Sequence, residues 1–129
     1  MKKLLYFIPV IIGIVVLSSC YKDDPAYDVS ITFIEPEDGA IMVSGDSLHM
    51  EVDFECTKVL NNIEVLAINT TSGDTLADFV EATTERFYSF HEHIIPTVAV
   101  SSNINIIASG WESDYANRIS KQVSVTMNP

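Results

Sequence analysis

Leu48-His49-Met50-Glu51-Val52-Asp53-Phe54-Glu55-Cys56 alternates apolar and polar residues without a break over nine positions. Successive side chains of an extended chain point to opposite faces. Leu48, Met50, Val52, Phe54 and Cys56 therefore share one face, and His49, Glu51, Asp53 and Glu55 share the other. The pattern predicts a strand with one dry and one wet face.

Working outward, the flanks repeat the theme of short strands between turns. Upstream, Val29 to Ile34 is β-branched and ends at Pro36-Glu37-Asp38-Gly39. Ile41-Met42-Val43 follows, closed by Ser44-Gly45-Asp46. Downstream, Asn61-Asn62 opens Ile63 to Asn69, and Thr71-Ser72-Gly73-Asp74 turns the chain into a weaker strand, Thr75 to Val80. Arg86 to Ile95 is aromatic-rich and stops at Pro96. Asn103 to Ala108 runs on towards Trp111, and a polar loop leads to Ile119 to Met127. Seven or eight short strands with turn signals about every 8–12 residues predict an all-β sandwich. One helical turn around Phe79 to Thr84 is the only helical element the pattern leaves open.

Pro36-x-x-Gly39, Gly45-Asp46 and the alternating strand together resemble the opening of bacterial immunoglobulin-like domains. Ala108 to Ser120, a strand running into an acidic loop, is similar to their last hairpin. The resemblance covers about residues 29–127 and is nearest to the small immunoglobulin-like lipoproteins of Bacteroidota. It implies an immunoglobulin-like Greek-key β-sandwich of about seven strands over residues 29–129, and it brings no catalytic residues. Tyr115-Ala116-Asn117 departs from relatives that carry a glycine before the asparagine, and no cysteine pair of the antibody type is present.

The first residues read as an address. Lys2-Lys3 precedes the apolar stretch Leu4 to Leu17, which spans 14 residues and contains Pro9 and Gly13. Crossing a bilayer takes roughly 20 apolar residues, so a secretory signal fits better than a membrane span. Leu17-Ser18-Ser19-Cys20 resembles a bacterial lipobox. That resemblance implies a signal peptide over residues 1–19, cleavage before Cys20, and two or three acyl chains on Cys20 as a stable membrane anchor. Residues 20–28 then form a polar tether. Within it, Lys22, Asp23 and Asp24 resemble the export tag of lipoproteins displayed on the outer face of the outer membrane. The expected location is the outer membrane, lipid-anchored and facing the cell surface, with a periplasm-facing lipoprotein as the alternative.

Composition narrows the partners. The chain has 18 acidic and seven basic residues, for a net charge of −11. Without residues 1–19, five basic residues stand against the same 18 acidic ones, giving −13. That balance argues against nucleic acid, whose phosphates need Lys and Arg to neutralise them, and equally against adsorption of the domain to anionic lipid. A divalent cation or a basic surface is electrostatically allowed. With Cys20 committed to lipid, Cys56 stands alone and in phase with the dry face. It reads as a core residue.

His91-Glu92-His93 is the constellation with the most chemical potential. On a strand, His91 and His93 project from one face and could share one divalent metal such as zinc, with His49 or a carboxylate of a neighbouring strand completing the site. The HExxH helix signature of zinc proteases is absent. Glu112-Ser113-Asp114 with Asn117 offers oxygen ligands for calcium but lacks EF-hand spacing. Glu51, Asp53 and Glu55 read as a solvated strand face. No GxSxG nucleophile turn or phosphate-cradling glycine loop occurs. Phe87, Tyr88, Phe90 and Trp111 read as core or rim residues. The sequence thus predicts a non-enzymatic binding or structural accessory module with a protein or glycan partner. The alternative is a metal-binding lipoprotein using His91 and His93.

Overall fold

The dry face is the seed of the core. In the computed structural model, which describes residues 26–112 and 117–129, Leu48, Met50, Val52 and Phe54 have no exposed surface and Cys56 is 2% exposed. They belong to strand β3 (Leu48–Cys56), whose other face leaves His49 and Glu55 exposed and Glu51 and Asp53 half-buried. The last two are half covered because β3 is the middle strand of its sheet. The expected leader 1–19, Cys20 and the residues Lys22, Asp23 and Asp24 lie outside the described residues, as do Ser113, Asp114, Tyr115 and Ala116.

Seven further strands complete the described structure: β1 (Val29–Glu35), β2 (Ala40–Val43), β4 (Asn62–Asn69), β5 (Asp74–Ala82), β6 (Phe87–Ile94), β7 (Ser102–Trp111) and β8 (Ile119–Asn128). They form two sheets, β1-β3-β6 and β2-β8-β7-β4-β5. All neighbours are antiparallel except β2 and β8, which run parallel. The chain changes sheet between β1 and β2, β2 and β3, β3 and β4, β5 and β6, and β6 and β7. This is a Greek-key, immunoglobulin-like sandwich, with an A-B-E sheet facing an A′-G-F-C-C′ sheet. The expected all-β class holds, with eight strands among the described residues.

The first sheet change is built by the turn residues. The register with β3 slips between Phe33 and Glu35, and the Glu35-Pro36 peptide is cis. Asp38 Oδ1 then accepts the Ser124 amide at 2.8 Å, and the Gly39 amide donates to the Ser124 carbonyl at 2.7 Å. Gly39 has φ +82°, a conformation glycine adopts without steric cost. So docked, the chain enters β2 alongside β8.

The helical turn that the pattern leaves open around Phe79 to Thr84 does not form. Phe79 to Ala82 continues β5, paired with β4 from Phe79 opposite Val65 to Ala82 opposite Asn62. Cross-strand hydrogen bonds extend the strand, and the Phe79 ring packs at 5.5 Å on Phe90. Leu60, between β3 and β4, is fully buried. A Cβ added to Gly110 would lie 3.0 Å from its Cδ1 and 3.1 Å from Val29 Cγ1, so β7 lies close to these side chains because position 110 has none.

Strand direction gives the sandwich two poles. Val29 of β1 lies opposite Cys56, and Glu55 lies opposite Phe87, at the pole where the chain enters. Thr57 ties that entry down: its Oγ1 accepts from the Asp28 amide at 3.0 Å and donates to the Ala26 carbonyl at 2.9 Å. Glu35, His49 and His93 mark the far pole.

Phe54→Ala is expected to destabilise the domain by about 3–5 kcal/mol through the cavity it leaves. Glu51→Ala is expected to stay within about 0.5 kcal/mol. Denaturant unfolding of both variants checks this; similar small effects would contradict the assignment of the two faces.

Candidate functional site

The three histidines of the chain meet on the outer face of the β1-β3-β6 sheet. Antiparallel pairing sets His49 directly opposite His93 and Glu51 opposite His91. All three imidazoles are exposed. The His49 and His93 rings stack with centroids 5.7 Å apart and planes 28° apart; His49 and His91 are 6.2 Å apart at 57°. His49, the proposed third member, is thus brought to the His91 and His93 pair by register. As the side chains stand, no group of three His, Cys, Asp or Glu among the described residues converges on a point that could hold an ion.

His49 also lines an open cleft of about 400 Å³ at the far pole. The lining mixes apolar Ile34, Pro36, Ala40 and Met42 with Glu35 and Glu37. Ile34 is 46% exposed, and β2 next to the cleft exposes Ile41 at 74% and Val43 at 52%.

The calcium candidate is only partly described. Asn117, at φ +57°, donates from Nδ2 to Glu112 Oε2 at 3.0 Å, so these two residues pair with each other. Ser113 and Asp114 lie outside the described residues. Cys56 is buried as expected. Beside it the Tyr27 hydroxyl is buried with no hydrogen-bond partner among the described residues, and burial, then the neighbouring thiol, pushes its pKa up.

Sequence reasoning missed a second polar cluster, on the outer face of the five-stranded sheet. Arg118 pairs with Glu64, donates to Ser109 Oγ at 3.1 Å and lies 4.4 Å over the Trp111 ring. Ser109 is fully buried and shares a 2.8 Å hydrogen bond with Ser120, the residue opposite it. Trp111 is 3% exposed, buried beneath Arg118 rather than offered as a stacking platform for sugars. Asp78 is exposed on the edge strand β5 beside Glu64; partial desolvation first, then the Glu64 charge and hydrogen bond, raise its pKa, while Arg118 opposes. The only local signal for this cluster is a lone arginine beside a strand start.

Of the aromatics, Phe90 is buried, Tyr88 half-buried and Phe87 56% exposed. The Tyr88 hydroxyl donates to Glu81, bridging β6 and β5 across the two sheets, and this bond, followed by burial, pushes its pKa up to about 12.

The strand order and the covered core define the class, an immunoglobulin-like β-sandwich. No protein-family model matches the chain, and no curated protein sequence matches it. Solved structures of similar shape include the CARDB domain of the PF1109 protein from Pyrococcus furiosus in complex with di-metal ions. It is 12% identical, with a TM-score of 0.48 over 78% of this chain and 86% of that one. A Niemann-Pick type C2 protein from the Japanese carpenter ant is 10% identical, with a TM-score of 0.47 over 78% of this chain and 89% of that one. A β-glucosidase from Listeria innocua in complex with glucose is 12% identical, with a TM-score of 0.47, over 78% of this chain but 16% of its own. At such identities and scores no ligand or activity carries across.

The raised Asp78 pKa has a definite sign. Between its ordinary value and its raised one, the folded state holds more protons than the unfolded state, so stability falls as pH rises through that window. Asp78→Asn keeps a donor towards Glu64 without a charge. It is expected to melt slightly above the wild type at neutral pH, with the difference vanishing in acid below the ordinary carboxylate range. Thermal melts across pH check this, and a lower melting temperature at neutral pH would contradict it.

Proposed function

We propose that this chain is a lipoprotein anchored in the outer membrane through acylated Cys20. Its immunoglobulin-like domain faces the cell surface and serves as a non-enzymatic binding or structural accessory module. The Leu17-Ser18-Ser19-Cys20 stretch supports the anchor, and Lys22, Asp23 and Asp24 support display. Together with Pro36-x-x-Gly39, Gly45-Asp46, the alternating strand β3 and the segment Ala108 to Ser120, they support membership of the small immunoglobulin-like lipoproteins of Bacteroidota.

One observation carries the binding role. The cleft, with exposed Ile34 at its mouth and Ile41 and Val43 beside it, sits at the pole opposite the chain entry. β1 has seven residues, so the cleft is roughly 20 Å from Val29 at about 3.3 Å per residue. A domain tethered by residues 20–28 would hold that pole away from the bilayer. Apolar side chains rimmed by Glu35 and Glu37 suit a partner surface with an apolar centre and a basic or hydroxyl-rich rim. A protein or a glycan meets that description.

In cells expressing the full chain, Cys20→Ala is expected to abolish labelling by a fatty-acid analogue and release the protein from membranes. Protease added to intact cells is expected to digest the wild type and to spare a variant with Lys22, Asp23 and Asp24 all replaced by Ala. A photo-crosslinker at Ile34 is expected to trap a discrete partner, and one at Lys58 at the entry pole none. Retained label in Cys20→Ala would overturn the anchor, protection of the wild type would overturn display, and equal trapping from both positions would overturn the binding pole.

A further inference from the structure

We propose that His49, His91 and His93 are a three-imidazole site for a divalent transition metal of the zinc class, on the outer face of β3 and β6. The inference stands on the described domain and does not depend on the lipid anchor.

The backbone supplies the convergence. The chain contains three histidines, and the β3–β6 register gathers them all into one patch, His93 directly across from His49 and His91 one diagonal away. Directly opposed residues have Cβ atoms about 5 Å apart, and diagonal ones remain within reach of long side chains. Imidazoles bound to one zinc at about 2.0–2.1 Å in a tetrahedral arrangement bring their ring centroids to about 5 Å. The His49 centroid stands 5.7 Å from that of His93 and 6.2 Å from that of His91. The rings do not converge as they stand, yet each of the three residues is exposed. Closing the remaining gap calls for rotation of side chains between staggered wells, on a strand pair whose register is already set.

The donor set selects the ion. Three neutral nitrogen donors suit zinc, cobalt, nickel or copper, whereas calcium and magnesium require oxygen. Three histidines with an open fourth position are a known zinc ligand set. Glu51, in register with His91, and Glu35, in register with Glu51, bring carboxylates to the same end of this sheet. A carboxylate there can receive the second N–H of a ligating imidazole and hold its tautomer and orientation. The acidic surface, at a net charge of −11 for the chain, raises the local concentration of cations. The β3–β6 register brings these three positions together, but all three imidazoles are exposed, so the core does not require histidine at any of them.

The full chain, purified without a polyhistidine tag and stripped with a chelator, is titrated with zinc alone by calorimetry and with cobalt by visible absorption. One equivalent of zinc is expected to bind saturably, and cobalt is expected to give the absorption bands of a low-coordinate nitrogen site. Each of His49→Ala, His91→Ala and His93→Ala should weaken zinc by about tenfold or more, and the triple variant should lose both signals. Calcium should give no saturable heat at this site. Unchanged melting of the metal-free variants is the control that the fold survives, as expected for exposed positions. Absence of saturable zinc heat, or heat and absorption that persist in the triple variant, would overturn the site.

Discussion

Five side chains on one face of β3 have to leave water together. Leu48, Met50, Val52, Phe54 and Cys56 are all buried in the sandwich, and each large apolar side chain contributes about 1.5–3 kcal/mol by burial. A slip of one residue would turn all five outward and bury His49, Glu51, Asp53 and Glu55. The combined cost is on the order of 10 kcal/mol, comparable to the net stability of a whole domain at about 5–15 kcal/mol. The register of β3 is therefore set by water, and β1 and β6 take theirs from it. The opposing sheet supplies the matching surface through Ile63, Val65, Ile104, Ile106 and Val125.

The same constraint arranges the chemistry on the outside. Once the dry face is fixed, His49 can only point outward, and pairing with β6 sets it against His93 and near His91. Strand direction puts this patch and the neighbouring cleft at the pole away from Val29, where the chain enters. The entry pole carries a different chemistry: Arg118 over Trp111, paired with Glu64 and bonded to buried Ser109. Those groups largely satisfy one another, whereas the histidines keep exposed nitrogen donors. That difference separates a stabilising cluster from a candidate binding surface.

Much of the fold was legible because strand signals are local. The alternation in β3 and the turns at Gly39, Gly45 and Gly73, each with positive φ, stand in consecutive residues. The end of β5 was not legible, since an edge strand with an uneven burial pattern has little period-2 signal, and its pairing with β4 extended it through Ala82. Leu60 was missed for a related reason: its burial depends on the missing side chain of Gly110. The histidine pair at positions 91 and 93 was visible as a shared strand face, and His49 could be named as a third member. Its true neighbour depends on a register that neither strand carries alone. The Glu64–Arg118 pair joins residues 54 positions apart, a distance no local pattern bridges.

Native-state hydrogen exchange resolved by residue tests the central role of β3 most directly. If its dry face fixes the sandwich, the hydrogen-bonded amides of β3 exchange only through global unfolding, together with those of β4 and β7 at the centre of the other sheet. The edge strands β2 and β5 open earlier. Exchange of β3 amides at a lower free energy than those of β4 and β7, with the five-stranded sheet still protected, would contradict the account.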